Sequence, residues 1–329
     1  MRSARIRAGE SQVCVQAERE LEPYLALQHL LDVVAGEIRS GGDTAGAIQV
    51  LTDGLREIKK QVSNADWTCV MIPAARAHPV SELIDQCPLT RHARTRPRGY
   101  PGDAELLDLI YRHEAALPKV DAASAIGRAI YEVTVAVSAC ESVRQRRRIV
   151  AAKIDDICSV KPAARILSVA SGHLREAEIS HALRDERKGF LVAVDQDPLS
   201  LETVRAYPGR TEAQRITVSD LILGRHDLAR FDFIYAVGLY DYLQASTAAR
   251  LTRKLFGHLE CGGTLLLANF LKGIWEAPYM EAYMDWHLFY RSEEEIRNFL
   301  REIPSAEIAS EIYWPDAAGC IGYVESVRR

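Results

Sequence analysis

No stretch of this 329-residue chain holds the roughly 20 consecutive apolar residues that a membrane-spanning helix needs. Its seven cysteines (Cys14, Cys69, Cys87, Cys140, Cys158, Cys261 and Cys320) are scattered, with no CxxC pair. Neither a zinc site nor a disulfide frame is expected from that spacing, and reduced thiols are. A basic excess is missing too: 41 Lys and Arg against 45 Asp and Glu leave a charge of −4. Neutralising a phosphate backbone needs the opposite balance, so a dedicated nucleic-acid binder is not expected. Met1-Arg2-Ser3-Ala4-Arg5 leads into no apolar core of a secretory signal. The expectation is a soluble, cytoplasmic protein with a small-molecule substrate, no metal, no membrane and no nucleic acid. What the chain does have is apolar residues, at 48 %, enough for a substantial core.

Two kinds of pattern follow one another. Up to about residue 160 the periodicity is helical. Tyr24, Leu27, Leu31, Val34 and Ile38 recur at steps of three and four, predicting a helix over 20–39 with Pro23 in its first turn. Ile48, Leu51, Leu55 and Ile58 predict a second over 44–62. The stretch 88–103 is rich in Pro, Gly and Arg and reads as an ordered loop, after which helix resumes over 103–116 and 122–155. From about 161 strands alternate with helices. Strands are expected near 165–169, 190–194, 215–219, 231–237 and 263–268, then a hairpin of 307–314 and 320–327 about the turn Pro315-Asp316-Ala317-Ala318-Gly319. Five parallel strands with a closing hairpin form the seven-stranded, Rossmann-like class I methyltransferase sheet. The expected organisation is a helical lid or substrate domain over 1–160 and an α/β domain over 161–329.

Within the second half, turn residues fall where such a sheet binds its ligand, beyond the carboxyl ends of the strands. Ala170, Ser171 and Gly172 follow the first strand as a small-residue turn that lets a ligand approach the backbone. Asp195, 23 positions after Gly172, ends the second strand and suits a ribose diol, with Gln196 beside it. Asp220 suits an adenine amino group, and Leu221 its ring face. Val237, Gly238, Leu239, Tyr240 and Asp241 follow the fourth strand and would floor a reacting centre. The set fits S-adenosylmethionine (SAM). An NAD-type GxGxxG turn is absent. The usual class I turn has an acid and three glycines where this chain has Ser168, Ala170, Gly172 and Leu174.

Three motifs carry a family resemblance: Arg96-Pro97-Arg98-Gly99-Tyr100-Pro101-Gly102-Asp103, Trp286-His287-Leu288-Phe289-Tyr290-Arg291, and Ser168 through Glu176 as Ser-x-Ala-x-Gly-x-x-Arg-Glu. Across roughly 70–327 the chain resembles bacterial class I SAM-dependent enzymes with an N-terminal helical domain. Some of these are like the enzymes that make 3-hydroxy fatty acid methyl esters, and others are like SAM cyclases that form azetidine-2-carboxylic acid and methylthioadenosine. The resemblance implies SAM as cofactor, a Rossmann-like fold and a helical lid.

Methyl transfer is a displacement at carbon that asks mainly for alignment and exclusion of water. A carboxylate acceptor needs only a cation, for which Arg98 and Arg291 are candidates, with structural ion pairing as the alternative. A hydroxyl or amine can use a base, with His173 and Asp241 as candidates. Tyr100 is a candidate lid residue over a sulfonium, or a pin for its own loop. Trp286 and Tyr290, four apart, would share a helix face. Arg144, Arg146, Arg147 and Arg148 read as a solvated face with one or two internal ion pairs. Three functions are consistent with these residues: an O- or N-methyltransferase, a SAM cyclase or lyase, and a non-catalytic SAM sensor or scaffold.

Overall fold

The computed structural model describes residues 2–185, 188–207 and 209–329, with side chains described from Leu21 onward. Cys14 therefore lies outside the described side chains; the described cysteines are free thiols. Among the described residues no helix is long and apolar enough to cross a membrane.

Seven strands pair in the order β3-β2-β1-β4-β5-β7-β6. β1 (Arg165–Val169), β2 (Phe190–Asp195), β3 (Thr211–Arg215), β4 (Phe231–Ala236) and β5 (Leu259–Phe270) are parallel. β7 (Ile321–Arg328) pairs antiparallel with β5, and β6 (Ile308–Pro315) pairs antiparallel with β7 and closes the sheet. The fold is α/β, with a Rossmann-like seven-stranded sheet of five parallel strands and a closing hairpin, and a helical region before it in sequence.

Side-chain alternation gives the two sheet faces different tasks. One face carries Leu167, Val169, Val192, Val194, Ile234, Ala236, Leu265 and Leu267 into a core with Leu251, Leu255, Phe256 and Phe299. Each such buried side chain contributes about 1.5–3 kcal/mol of transfer free energy. The other face carries Ser168, Tyr235 and Tyr323, and the long helix Ser138–Val160 belongs to it, Lys153 reaching Glu325 at 2.6 Å. The stripe this helix buries is apolar at Cys158, Ile154 and Val150, then charged at Arg146.

The third strand differs from expectation. β3 is the polar, partly exposed segment Thr211–Arg215, and 218–223 is helix. Thr217 caps that helix: its Oγ1 accepts from the Asp220 N–H while the Asp220 carboxylate accepts from the Thr217 N–H. This capping box outweighs the apolar alternation of Ile216 and Val218.

By Cα proximity the chain divides into two units, each discontinuous. One runs up to Gly102 and adds Arg112–Val137 and Trp275–His287; the other is Asp103–Tyr111, Ser138–Ile274 and Leu288–Arg329. The change in sequence pattern near 160, by contrast, suggests a single cut. In the helical unit, Leu27, Leu31, Val34 and Ile38 are buried, as are Ile48, Leu51, Leu55 and Ile58. Pro23 lies inside the Arg2–Arg39 helix rather than in its first turn. Residues 88–95 are helix, not loop, because Pro88 sits at N1, where its fixed φ suits a helix and its missing N–H costs nothing. The long helix expected over 122–155 breaks at Val137, which is extended. Trp286 and Tyr290 are not on a helix; the Ala277–Tyr283 helix ends before them, and Asp285 turns left-handed at φ 49°.

Candidate functional site

β1 and β4 are neighbours, and the sheet order reverses between them. Loops leaving this switch point diverge and open a crevice at the strand ends. The loop after β1 is Ala170–Leu174, and the loop after β4 begins at Val237. Both belong to the α/β unit.

Ala170, Gly172 and Leu174 have φ of 54°, 53° and 53°, a left-handed conformation at alternate residues. These are the three positions where the usual class I turn has glycine. Two of the three left-handed positions here carry side chains. Such alternation turns successive N–H groups into a concavity. Gly172 also tolerates no side chain cheaply, since a Cβ there would come within 3.3 Å of the Ala104 Cβ.

Asp195 ties the turn to β2. Its Oδ2 accepts from the Gly172 N–H at 2.8 Å and its Oδ1 from the Asp197 N–H at 2.9 Å. Burial raises its pKa, opposed by backbone N–H bonds from Asp197, Gly172 and Gln196. A carboxylate has about four acceptor sites, so one remains for a ligand hydroxyl. Gln196 is exposed beside it.

His173 is buried next to the turn, and Asp108 holds it. Asp108 Oδ2 lies 2.8 Å from His173 Nδ1, and the same carboxylate accepts two bonds from Arg175, at 2.7 and 2.8 Å. Burial opposes its ionisation, but the bonds from Arg175 and His173 outweigh that and bring its pKa to about 2. An ionised carboxylate accepts only, so Nδ1 carries a proton, and in the neutral ring Nε2 presents a lone pair. Among the described residues Nε2 is buried without a hydrogen-bond partner, and so is Ser171 Oγ of the same turn.

After β4, Val237 and Gly238 are half-buried at the crevice. Asp241 is buried; it accepts from the Phe270 N–H at 2.7 Å, and burial raises its pKa to about 6. Tyr240 turns the other way. It is fully buried in the core, 2.8 Å from Thr252 through its hydroxyl and against the Phe299 ring. Tyr242 is half-buried.

Several expected site residues are occupied elsewhere. The Asp220 carboxylate serves the helix cap, and Leu221 packs in the core. Arg291 is a buried clip, donating to the Tyr240 carbonyl at 2.8 Å, to Asn269 Oδ1 at 2.5 Å and to the Leu243 carbonyl. It fastens the post-β4 loop and is not a free clamp. Arg98 and Tyr100 are half-buried in the 96–102 turn of the helical unit, where Arg96 and Gly99 are left-handed.

Asp108, Arg175 and Arg146 are not marked as candidates by the sequence alone. Arg175 stands inside the quoted Ser168–Glu176 motif. Asp108 is an isolated acid within the otherwise apolar run of its helix, the one local signal available.

No family model matches the chain, and no curated protein matches it in sequence. The chain is similar to several solved structures. One is a possible exported protein from Bordetella parapertussis, with TM-score 0.52 and 18 % identity over 77 % of this chain and 99 % of that one. Another is the S-adenosylmethionine-dependent methyltransferase SibL in its apo form, with TM-score 0.47 and 15 % identity over 96 % and 97 % of the two chains. A third is the magnesium protoporphyrin IX methyltransferase of Synechocystis PCC 6803 with bound SAH, with TM-score 0.42 and 11 % identity over 59 % and 88 %. At 18 % identity the likeness to the Bordetella protein is one of fold alone.

Proposed function

We propose that this chain is a SAM-dependent methyltransferase acting on an oxygen or nitrogen of a small molecule, with carboxylates and hydroxy acids as the first acceptors to try. The observation that carries the reading is the left-handed Ala170–Leu174 turn at the switch point, bonded through Gly172 to Asp195, with the His173 lone pair beside it. The donor set fits the cofactor. Asp195 keeps acceptor capacity for a ribose hydroxyl, and the Ser171 hydroxyl and the Gly238 backbone suit the polar amino-acid end.

Bound SAM supplies an electrophilic methyl group on a sulfonium. The chain supplies alignment and a proton acceptor. Asp108 holds the imidazole by Nδ1, and Nε2 takes the proton of an acceptor hydroxyl or amine as that atom becomes the nucleophile. A carboxylate acceptor is already ionised and asks only to be positioned.

The test is incubation with SAM and a panel of hydroxy acids and amines, following the nucleoside products by mass spectrometry. Acceptor-dependent S-adenosylhomocysteine is the expected product. His173→Gln should lower kcat for a hydroxyl acceptor by about 10²–10⁴-fold while leaving SAM affinity within a few fold. Methylthioadenosine released from SAM alone would replace transfer with cyclisation or lysis. Intact SAM with every acceptor would leave a sensor.

A further inference from the structure

We propose that Arg146 is the seat of a carboxylate at the carboxyl end of β4, belonging either to the amino-acid tail of the cofactor or to the acceptor. The inference rests on the methyltransferase reading for the identity of its ligand, but on separate observations for the site.

Arg146 stands where a helix of this kind would bury an apolar side chain. It continues the stripe of Cys158, Ile154 and Val150 and is only 5 % exposed. A guanidinium cannot shed its charge, so burying it demands compensation, either by neutral acceptors such as the carbonyls around Arg291 or by an anion. Among the described residues no acid lies within the 4.0 Å of an ion pair with it, whereas its neighbours Arg144 and Arg148 both pair with Glu141. The Tyr111 hydroxyl faces it, and Asp241 and Glu176 lie in its electrostatic reach. Those acids are themselves committed, Asp241 to the Phe270 N–H and Glu176 to the Tyr235 hydroxyl at 2.6 Å.

The loop after β4 meets it at a glycine. Gly238, the second residue after β4, has no side chain; a Cβ there would sit 3.6 Å from the Arg146 Nη2. A buried cation facing a glycine in the ligand crevice is therefore presented to the ligand. Its planar fork matches a carboxylate with two parallel N–H bonds. This is the positioning cation that Arg291, tied to backbone carbonyls, does not supply.

The test compares wild type, Arg146→Met and Arg146→Lys by calorimetry with three probes: S-adenosylhomocysteine, 5′-methylthioadenosine, which lacks the amino-acid tail, and butyrate added to protein saturated with S-adenosylhomocysteine. If the cofactor supplies the carboxylate, Arg146→Met loses about 10- to 100-fold in affinity for S-adenosylhomocysteine and none for methylthioadenosine. If the acceptor supplies it, both nucleosides bind as before and butyrate binding disappears. Arg146→Lys keeps the charge, restores part of either loss, and carries the test if the Met variant does not fold. An equal fall for the two nucleosides, or no change with any probe, overturns the proposal. Wild-type protein that binds neither nucleoside overturns the methyltransferase reading instead, and the butyrate comparison, run without nucleoside, still decides the carboxylate seat.

Discussion

Ala170 holds a left-handed φ of 54° while carrying a Cβ, a conformation that costs an L-residue roughly 1–2 kcal/mol. Its side chain is exposed, so no burial offsets that cost. Ala170→Gly should therefore stabilise the protein by about 1 kcal/mol, read as a raised urea midpoint at unchanged m-value. The same change at Leu174, equally left-handed but 1 % exposed, should destabilise, because the lost core contacts exceed the relief of strain. The contrast locates what the sequence could reveal about the turn. Small residues at 170–172 mark a turn, whereas the conformation of Leu174 is set by the loop around it and has no composition signal. His173 was legible because it adjoins that turn. Its partner Asp108 is 65 positions away and looked like one more helix acid.

At the level of elements, the buried strands announce themselves and the edge strand does not. β1, β2 and β4 are buried along nearly their whole length, and so are apolar runs. β3 reads Thr-Glu-Ala-Gln-Arg, because an edge strand with a wet face needs no apolar run. The apolar residues just after it belong to a capped helix. Thr217→Ala should cost about 1 kcal/mol in chemical denaturation, as loss of an N-cap does. Thr217→Ser, which keeps the cap oxygen, should cost only a few tenths. If 215–219 were strand, the two variants would be alike within error. The charged stripe position Arg146 was hidden for a related reason. Four arginines in five residues look like a solvated face, and only the packing of the long helix separates the buried one from the others.

For the molecule as a whole, the carboxyl rim of the sheet trades stability for a polar interior, and the trade should be visible in its pH dependence. Asp241 is raised by burial from 3.8 to about 6, opposed by the Phe270 N–H and by Arg146 and Arg291. Between those values the folded protein keeps a proton that the unfolded chain releases, so stability falls as pH rises from 4 to 6. The full effect above pH 6 is up to about 3 kcal/mol. Asp108 runs the opposite way. Its folded value of about 2 makes its contribution complete above the unfolded value and lost as pH falls through 2. The two slopes meet near pH 4, so the wild-type profile alone does not isolate either. A difference profile does. Asp241→Asn can still accept from the Phe270 N–H but carries no titrating charge. Its melting temperature should match wild type near pH 4 and exceed it by several degrees at pH 8. A difference that stays flat from pH 4 to 8 would mean that Asp241 titrates in the folded protein as it does in the unfolded chain, and that its burial imposes no cost.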